Sequence, residues 1–225
     1  MDNDVLRQAP LFSALDDEAA SALRASMGET RLRRGEVLFR EGDAGDKLYI
    51  VTDGKVKLGR SASDGRENLL AIMGPGQMFG ELSLFDPGPR SATVTAVTDT
   101  SFLSLSHEDL MRWLSGRPGV ALGLLSQLAA RLRRSNDVVA DLVFSDVPGR
   151  VAKALLELAD RFGRTADDGV HVHHDLTQEE LAQLVGASRE TVNKALADFA
   201  SRGWLRLEPR SVVIMDIERL QRRAR

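Results

Sequence analysis

The spacing of hydrophobic and polar positions changes character twice along this chain of 225 residues. Apolar residues between Leu11 and Ser26 recur at helical spacing, which predicts one amphipathic helix. From about Arg31 to Ser106 the apolar runs become short and are punctuated by glycine at 35, 42, 45, 54, 59, 65, 74, 76, 80 and 88. Lys47-Leu48-Tyr49-Ile50-Val51 and Lys55-Val56-Lys57-Leu58 flank Thr52-Asp53-Gly54, and Asp-Gly between such runs predicts a hairpin. Asn68 to Met73 and Thr93 to Val97 are further strands. Many short strands with turn residues between them predict a small antiparallel barrel or sandwich.

The second change comes after Pro118. Up to about Phe144 the only helix breakers are Gly119 and Gly123, and Leu125, Leu128, Leu132, Ser135, Val139 and Leu142 follow one another at intervals of 3, 4, 3, 4, 3. That is an a/d heptad register, and it predicts a parallel two-helix dimer seam. A helix packed on its own barrel is the alternative the pattern leaves open. Ser135 is the polar member of the seam, at a position where polarity costs stability. Ser145, Asp146, Val147 and Pro148, followed by Gly149, predict a break and a hinge, because the residue before proline disfavours helix. Arg150 to Phe162 then reads as helix and Gly169 to His173 as a strand. The fold class expected is α+β, in three parts: residues 1–116, 117–145 and 146–225.

Charge sharpens this division. The chain is net −3, yet its last stretch, from Arg189 to Arg225, has nine Lys or Arg against five Asp or Glu. A basic end on an acidic body suits contact with a polyanion, although a solvated basic helix has the same composition. Cysteine is absent, which excludes disulfides, thiolate nucleophiles and cysteine-held zinc or iron–sulfur clusters. No apolar run approaches the ~20 residues of a membrane span. Met1 to Arg7 has neither a basic nor an apolar leader segment, so no export signal and a cytoplasmic location are expected. Serine, histidine and carboxylates are scattered without a triad order, so no catalytic site is expected.

Residues 178–197 fit a helix-turn-helix. Thr177 and Glu180 make a T-x-x-E capping box. Ala182 is small where two helices cross, and Gly186 stands where the turn needs positive φ. Ser188 can cap the second helix and Val192 points back into the core. Arg189 and Glu190 then occupy the first turn, the part of a recognition helix that meets base edges. Arg can bond guanine bidentately and Glu can accept from the cytosine amino group. An ordinary helical hairpin with surface charges is the plainer reading. Trp204 to Leu207 and Ser211 to Met215, flanking Glu208-Pro209-Arg210, predict a two-stranded wing.

Gly76-Gln77-Met78-Phe79-Gly80-Glu81-Leu82-Ser83-Leu84, followed by Pro89-Arg90-Ser91-Ala92-Thr93, resembles the cyclic-nucleotide-binding cassette. The order barrel, long helix, hinge, winged helix resembles the cyclic-AMP receptor protein/FNR (CRP/FNR) family of regulators over essentially the whole chain. Ser188 to Val192 matches that family's recognition helix. The resemblance implies a jelly-roll-like cyclic-nucleotide-binding β-roll, a dimerisation helix and a DNA-binding winged helix-turn-helix. It implies cyclic AMP held by Gly80, Glu81, Leu82, Ser83, Arg90 and Ser91, with Ser135 and Asn136 meeting the adenine from both subunits. Physically, Arg90 can pair the cyclic phosphate bidentately and amides after Gly80 can complete the cradle. Glu81 beside an anion makes sense as an acceptor from the ribose 2′-OH.

The resemblance further implies a homodimer on a palindromic operator like TGTGA-N6-TCACA, and RNA polymerase as a partner. Candidate DNA contacts are Thr177, Gln178, Ser188, Arg189, Glu190, Thr191, Asn193, Lys194 and, in the wing, Arg210. Some family members have Arg where Lys194 stands, and lysine is a point donor, not a planar fork. No haem is expected, since the first histidine is His107. The alternation of His171 and His173 is compatible with a metal but more in keeping with solvent-facing residues, so no metal is expected. Two rivals stay open: a family member that binds DNA constitutively or senses another small molecule, and a cyclic-nucleotide module serving an enzyme partner.

Overall fold

The computed structural model describes residues 2–13, 15–61, 67–115 and 146–224, with 119, 121, 122, 125, 126, 128, 129, 132 and 133 between them. The chain forms two compact units, Met1–Arg60 with Ala71–Ser135 and Ser61–Leu70 with Asn136–Arg225.

The N-terminal unit opens with helix α1 (Asp2–Gln8), a 3-10 turn (Pro10–Phe12) and helix α2 (Asp17–Ala25). The single helix expected over 11–26 is therefore interrupted. Asp16 is the reason: its carboxylate accepts from the Ala19 amide at 2.8 Å and caps a new helix. Two four-stranded antiparallel sheets follow. One runs in the order β1 (Gly28–Leu32), β10 (Thr100–Ser106), β4 (Lys47–Asp53), β7 (Met78–Phe79). The other runs β2 (Val37–Phe39), β9 (Thr93–Ala96), β5 (Val56–Ser61), β6 (Glu67–Met73). A two-stranded ribbon, β3 (Ala44–Gly45) with β8 (Gly88–Pro89), stands beside them. Helix α3 (Glu81–Phe85) follows β7 and helix α4 (His107–Leu114) follows β10.

One expectation is overturned here. β4 and β5 do not pair with each other across Asp53-Gly54: β4 pairs β10 and β7, while β5 pairs β9. Gly54 carries the chain from one sheet to the other at φ 79°. A side chain there would meet Thr100 Oγ1 at 2.7 Å, and Lys55 is tied to Val97 and Thr98 instead of to a hairpin partner. The sheets enclose Val51, Val56, Phe79, Val94 and Phe102. A second cluster joins the other side of β4 and β10, through Leu48, Ile50, Leu103 and Leu105, to Leu6, Phe12, Leu23 and Trp113 of the helical segments. Each such buried side chain contributes about 1.5–3 kcal/mol.

The described residues from 119 to 133 are helical. Leu125 and Leu132 are 61% and 66% exposed in the single chain, whereas Leu128 packs partly against the roll's core. Ser135, Asn136, Val139, Leu142 and Ser145 lie outside the described residues.

The C-terminal unit begins with helix α5 (Val147–Phe162). The expected break is absent from Val147 onward. Asp146 accepts from the Gly149 amide at 2.9 Å, and Pro148 falls in the first turn, where its missing N–H has no helical partner to lose. Strands β11 (Gly163–Ala166), β12 (Gly169–Val172), β14 (Ser211–Ile214) and β13 (Leu205–Glu208) form one antiparallel sheet in that order. The wing is thus the outer half of a four-stranded sheet. Helices α6 (Gln178–Val185) and α7 (Arg189–Ser201) form the helix-turn-helix, and α8 (Ile217–Arg223) ends the described chain. Leu155, Leu181, Val192, Leu196 and Phe199 are buried between these layers.

Candidate functional site

Two places in the chain collect the candidate residues. In the roll, Gly80 caps the short helix α3 in left-handed geometry, φ 78°. The next residues alternate: Glu81 and Ser83 are 5% exposed, Leu82 is 60% exposed. The first amides of any helix lack helical acceptors, so the turn at Gly80 presents donors beside a buried carboxylate. Arg90 is 6% exposed, although charged side chains are almost never buried without partners. Its Nη1 donates to the Lys47 carbonyl at 2.7 Å. Its guanidinium lies 4.2 Å from the Phe39 ring centroid and 5.7 Å from that of Tyr49. Tyr49 in turn stacks on Phe79 at 5.6 Å, so the cation rests on an aromatic floor continuous with the core. Arg90 Nε is buried and has no hydrogen-bond partner.

Burial lowers the Arg90 pKa below its ordinary value, against smaller opposing effects of Tyr49, Asp46 and Asp43. Burial likewise raises the Tyr49 hydroxyl, which the Arg90 charge partly offsets. An arginine remains charged under such shifts. The result is a desolvated cation with donor capacity left over. Those features suit an anion, and the cyclic phosphate is the candidate.

Two glycines give the guanidinium its room. A Cβ on Gly45 would lie 2.6 Å from Arg90 Cζ, and one on Gly80 would lie 2.8 Å from Arg90 Nη1 and from the Lys47 carbonyl. Sequence reasoning missed Gly45, Phe39 and Tyr49. The visible signal was Gly45 in a glycine-rich turn; its proximity to Arg90 arises from the pairing of Gly45 with Gly88. Beside that pairing the Arg90 backbone is fixed as well, its amide donating to the Asp43 carbonyl and its carbonyl accepting from the Gly42 amide. Ser91 is exposed.

The helix-turn-helix is built from local contacts. Thr177 Oγ1 accepts from the Glu180 amide at 3.1 Å while the Glu180 carboxylate accepts from the Thr177 amide at 2.8 Å, which completes a capping box. Gly186 ends α6 at φ 70°. Ser188 accepts from the Thr191 amide at 3.2 Å and its hydroxyl also pairs the Thr191 hydroxyl at 2.8 Å. Val192 is fully buried and anchors α7. Arg189, Glu190 and Lys194 are exposed, Asn193 is half-buried, and Gln178 is exposed on α6. Lys194 Nζ donates to Glu190 Oε1 at 2.7 Å, an exposed i,i+4 pair. Arg210, at the wing turn, has φ 55°, and its carbonyl accepts from the Asp175 amide at 3.0 Å.

Arg150 was missed by the sequence reasoning. Its guanidinium donates to the carbonyls of Val185 and Gly186 at 3.1 and 3.3 Å and so closes the C-terminal end of α6. A cation at that end also complements the helix dipole. The imidazole of His171 bonds Asp168 Oδ1 at 2.6 Å, not a second histidine. That bond, with Arg206 at 2.8 Å, lowers the Asp168 pKa to about 2. Among the described residues no cluster of three metal-binding side chains occurs, and no helix is long and apolar enough to cross a membrane.

Residues 29–117 match the cyclic nucleotide-binding domain and residues 149–223 match the Crp-like helix-turn-helix domain. The chain is 56% identical over 223 residues to a CRP-like cAMP-activated global transcriptional regulator of Mycobacterium tuberculosis, covering 99% of this chain and 100% of that one. Its roll is similar to the crystal structure of the N-terminal domain of a transcriptional regulator from Streptomyces coelicolor, with 61% identity, TM-score 0.55, and coverage of 61% of this chain and 95% of that one. The whole chain is similar to the Thermus thermophilus catabolite activator protein, with 38% identity, TM-score 0.56, and coverage of 96% and 98%.

Proposed function

Because the chain belongs to the CRP/FNR family of DNA-binding transcriptional regulators, which are not enzymes, we propose that it is a homodimeric, cyclic-AMP-responsive regulator that binds a palindromic operator. The observation that carries the ligand half is the buried Arg90 guanidinium, framed by Gly45 and Gly80 and left with an unpartnered Nε. A singly charged cyclic phosphate supplies the acceptor, and charge-assisted bonds of this kind are about twice as strong as neutral ones. Glu81 accepts from the ribose, and amides after Gly80 bond phosphate oxygens. Ser135 and Asn136 take the adenine. The relative from Mycobacterium tuberculosis, described as cAMP-activated, supports cyclic AMP as the nucleotide.

The DNA half rests on α7. Its first turn is fixed by the Ser188 cap and by Val192, and it presents Arg189 and Glu190 to solvent. Arg189 takes a guanine edge and Glu190 a cytosine amino group, as in a half-site like TGTGA. Thr177, Gln178 and Arg210 hold phosphates. The exposed Leu125 and Leu132 form the dimer seam with the same face of a second copy. A two-fold dimer places its reading helices about 34 Å apart and requires an inverted repeat. Nucleotide binding positions those helices allosterically, RNA polymerase is the downstream partner, and the protein acts in the cytoplasm.

The test combines calorimetric titration with cyclic AMP and cyclic GMP and a DNA-binding titration in the presence and absence of nucleotide. Saturable cyclic-AMP binding that tightens operator binding is the expected result. Tight operator binding indifferent to both nucleotides would favour a constitutive regulator instead.

A further inference from the structure

We propose that the winged unit carries a small-molecule site of its own, between α6 and the β13–β14 wing, and that it takes a small aromatic carboxylate. A cavity of about 220 Å3 lies there. Its apolar wall includes Leu155, Leu176, Leu181, Leu196 and Val212. A cavity of about 150 Å3 lined by apolar side chains holds benzene, so this one admits a ring with a short polar substituent.

Two of the polar lining residues, Arg210 and Ser211, are adjacent in the chain. Ser211 lines the cavity, is 5% exposed, and its Oγ is buried without a hydrogen-bond partner. An unpaired buried hydroxyl costs free energy that a ligand oxygen would recover. Arg210, next in the chain and also lining the cavity, is exposed and free of any ion pair among the described residues. Glu208, the acid on the same wall, shares Arg206 with Asp168, at 3.3 and 2.8 Å. Arg210 is thus the lining cation without an ion pair, and a carboxylate spanning Ser211 Oγ and Arg210 would pair it. His174 also lines the cavity, but its Nδ1 accepts from the Leu176 amide at 3.1 Å and serves the wall.

Arg210, in the lining, is held in a costly conformation. Asp175 and Arg210 both have left-handed backbone, φ 61° and 55°, and are joined by the amide of the first and the carbonyl of the second. Non-glycine residues in that region store strain of the kind found at ligand clamps. Thr177, Gln178 and Arg210, the proposed phosphate contacts, line the same cavity. A ligand there draws Arg210 inward and weakens DNA binding, a consequence that rests on the DNA-binding reading above.

The site itself is tested without DNA. Full-length protein with labelled methyl groups is titrated with benzoate and, separately, with benzyl alcohol. Benzoate should give saturable shifts at the methyls of Leu181, Leu196 and Val212, at least tenfold tighter than benzyl alcohol. Ser211→Ala should weaken benzoate about tenfold while melting no lower than the parent, since it removes a hydroxyl that bonds nothing. Leu207→Trp, at a 45% exposed lining residue, should plug the cavity and abolish the shifts. Absence of saturable shifts, or shifts that survive both substitutions, overturns the site. Equal binding of the alcohol overturns the carboxylate. With binding established, operator affinity that ignores saturating benzoate overturns the coupling to DNA.

Discussion

Gly45→Ala should weaken cyclic-nucleotide binding about tenfold or more without replacing a charged residue. The added methyl group would stand 2.6 and 2.7 Å from Arg90 Cζ and Cδ, far inside van der Waals distance. Gly45 is outside the left-handed backbone region, so alanine meets no φ penalty there. The atoms in the way belong to a flexible side chain, so the guanidinium moves and the backbone stays. In moving, Arg90 gives up its bond to the Lys47 carbonyl and its place over Phe39. Those interactions are worth about 1.5–3 and 0.5–2 kcal/mol, but the freed cation regains hydration and alanine restricts the unfolded chain. The net loss of stability should stay below about 2 kcal/mol. Binding has no such compensation: without one charge-assisted hydrogen bond to the phosphate, affinity falls roughly tenfold to a hundredfold. Calorimetric titration with cyclic AMP measures it, and a circular-dichroism melt verifies the fold. The decisive control is the double-mutant cycle with Arg90→Ala. Gly45→Ala should add nothing once Arg90 is gone. Full affinity in a folded Gly45→Ala protein, or a further loss in the Arg90→Ala background, would refute the reasoning.

Arg189→Ala should cost about 1–3 kcal/mol and flatten preference at one base pair, whereas Arg210→Ala should weaken all sequences alike and lower the salt slope by about one. Binding across a library of half-site variants separates the two, and an even loss with Arg189→Ala would remove α7 from the reading role. Leu132→Asp should convert the dimer to folded monomer in light scattering, because Leu132 is 66% exposed in the single chain and its carboxylate would face its twin only across the seam; an unaltered dimer refutes the seam. Asp168, lowered from 3.8 to about 2 by His171 and Arg206, favours the folded state above its unfolded pKa, and that contribution should disappear as pH falls through about 2. Acid melts should show Asp168→Asn losing this pH dependence, with an effect kept small by solvent exposure; identical acid profiles would show that the bonds seen at Asp168 do not contribute.

What the residues determine alone is what depends on neighbours three or four positions away. The Thr177–Glu180 box, the left-handed Gly186 and the Ser188 cap are each one helical turn of chain, so the helix-turn-helix was legible as it stands. The turn at Gly80 was legible through the resemblance of the stretch from Gly76 to Thr93 to the cyclic-nucleotide-binding cassette. Local rules also misled. Asp53-Gly54 has hairpin chemistry, yet the partners of β4 and β5 lie in different sheets, because strand pairing is settled by which apolar faces close on Phe79 and Phe102. Pro148 breaks a helix in its interior but suits the first turn once Asp146 caps it. Tertiary structure alone joined Arg90 to Gly45, Phe39 and the Lys47 carbonyl, and Arg150 to the end of α6. Those pairings link residues 35 to 51 positions apart, with no period or cap to announce them. They exist because burying a guanidinium requires acceptors and aromatic faces from whatever strands the closed roll brings alongside.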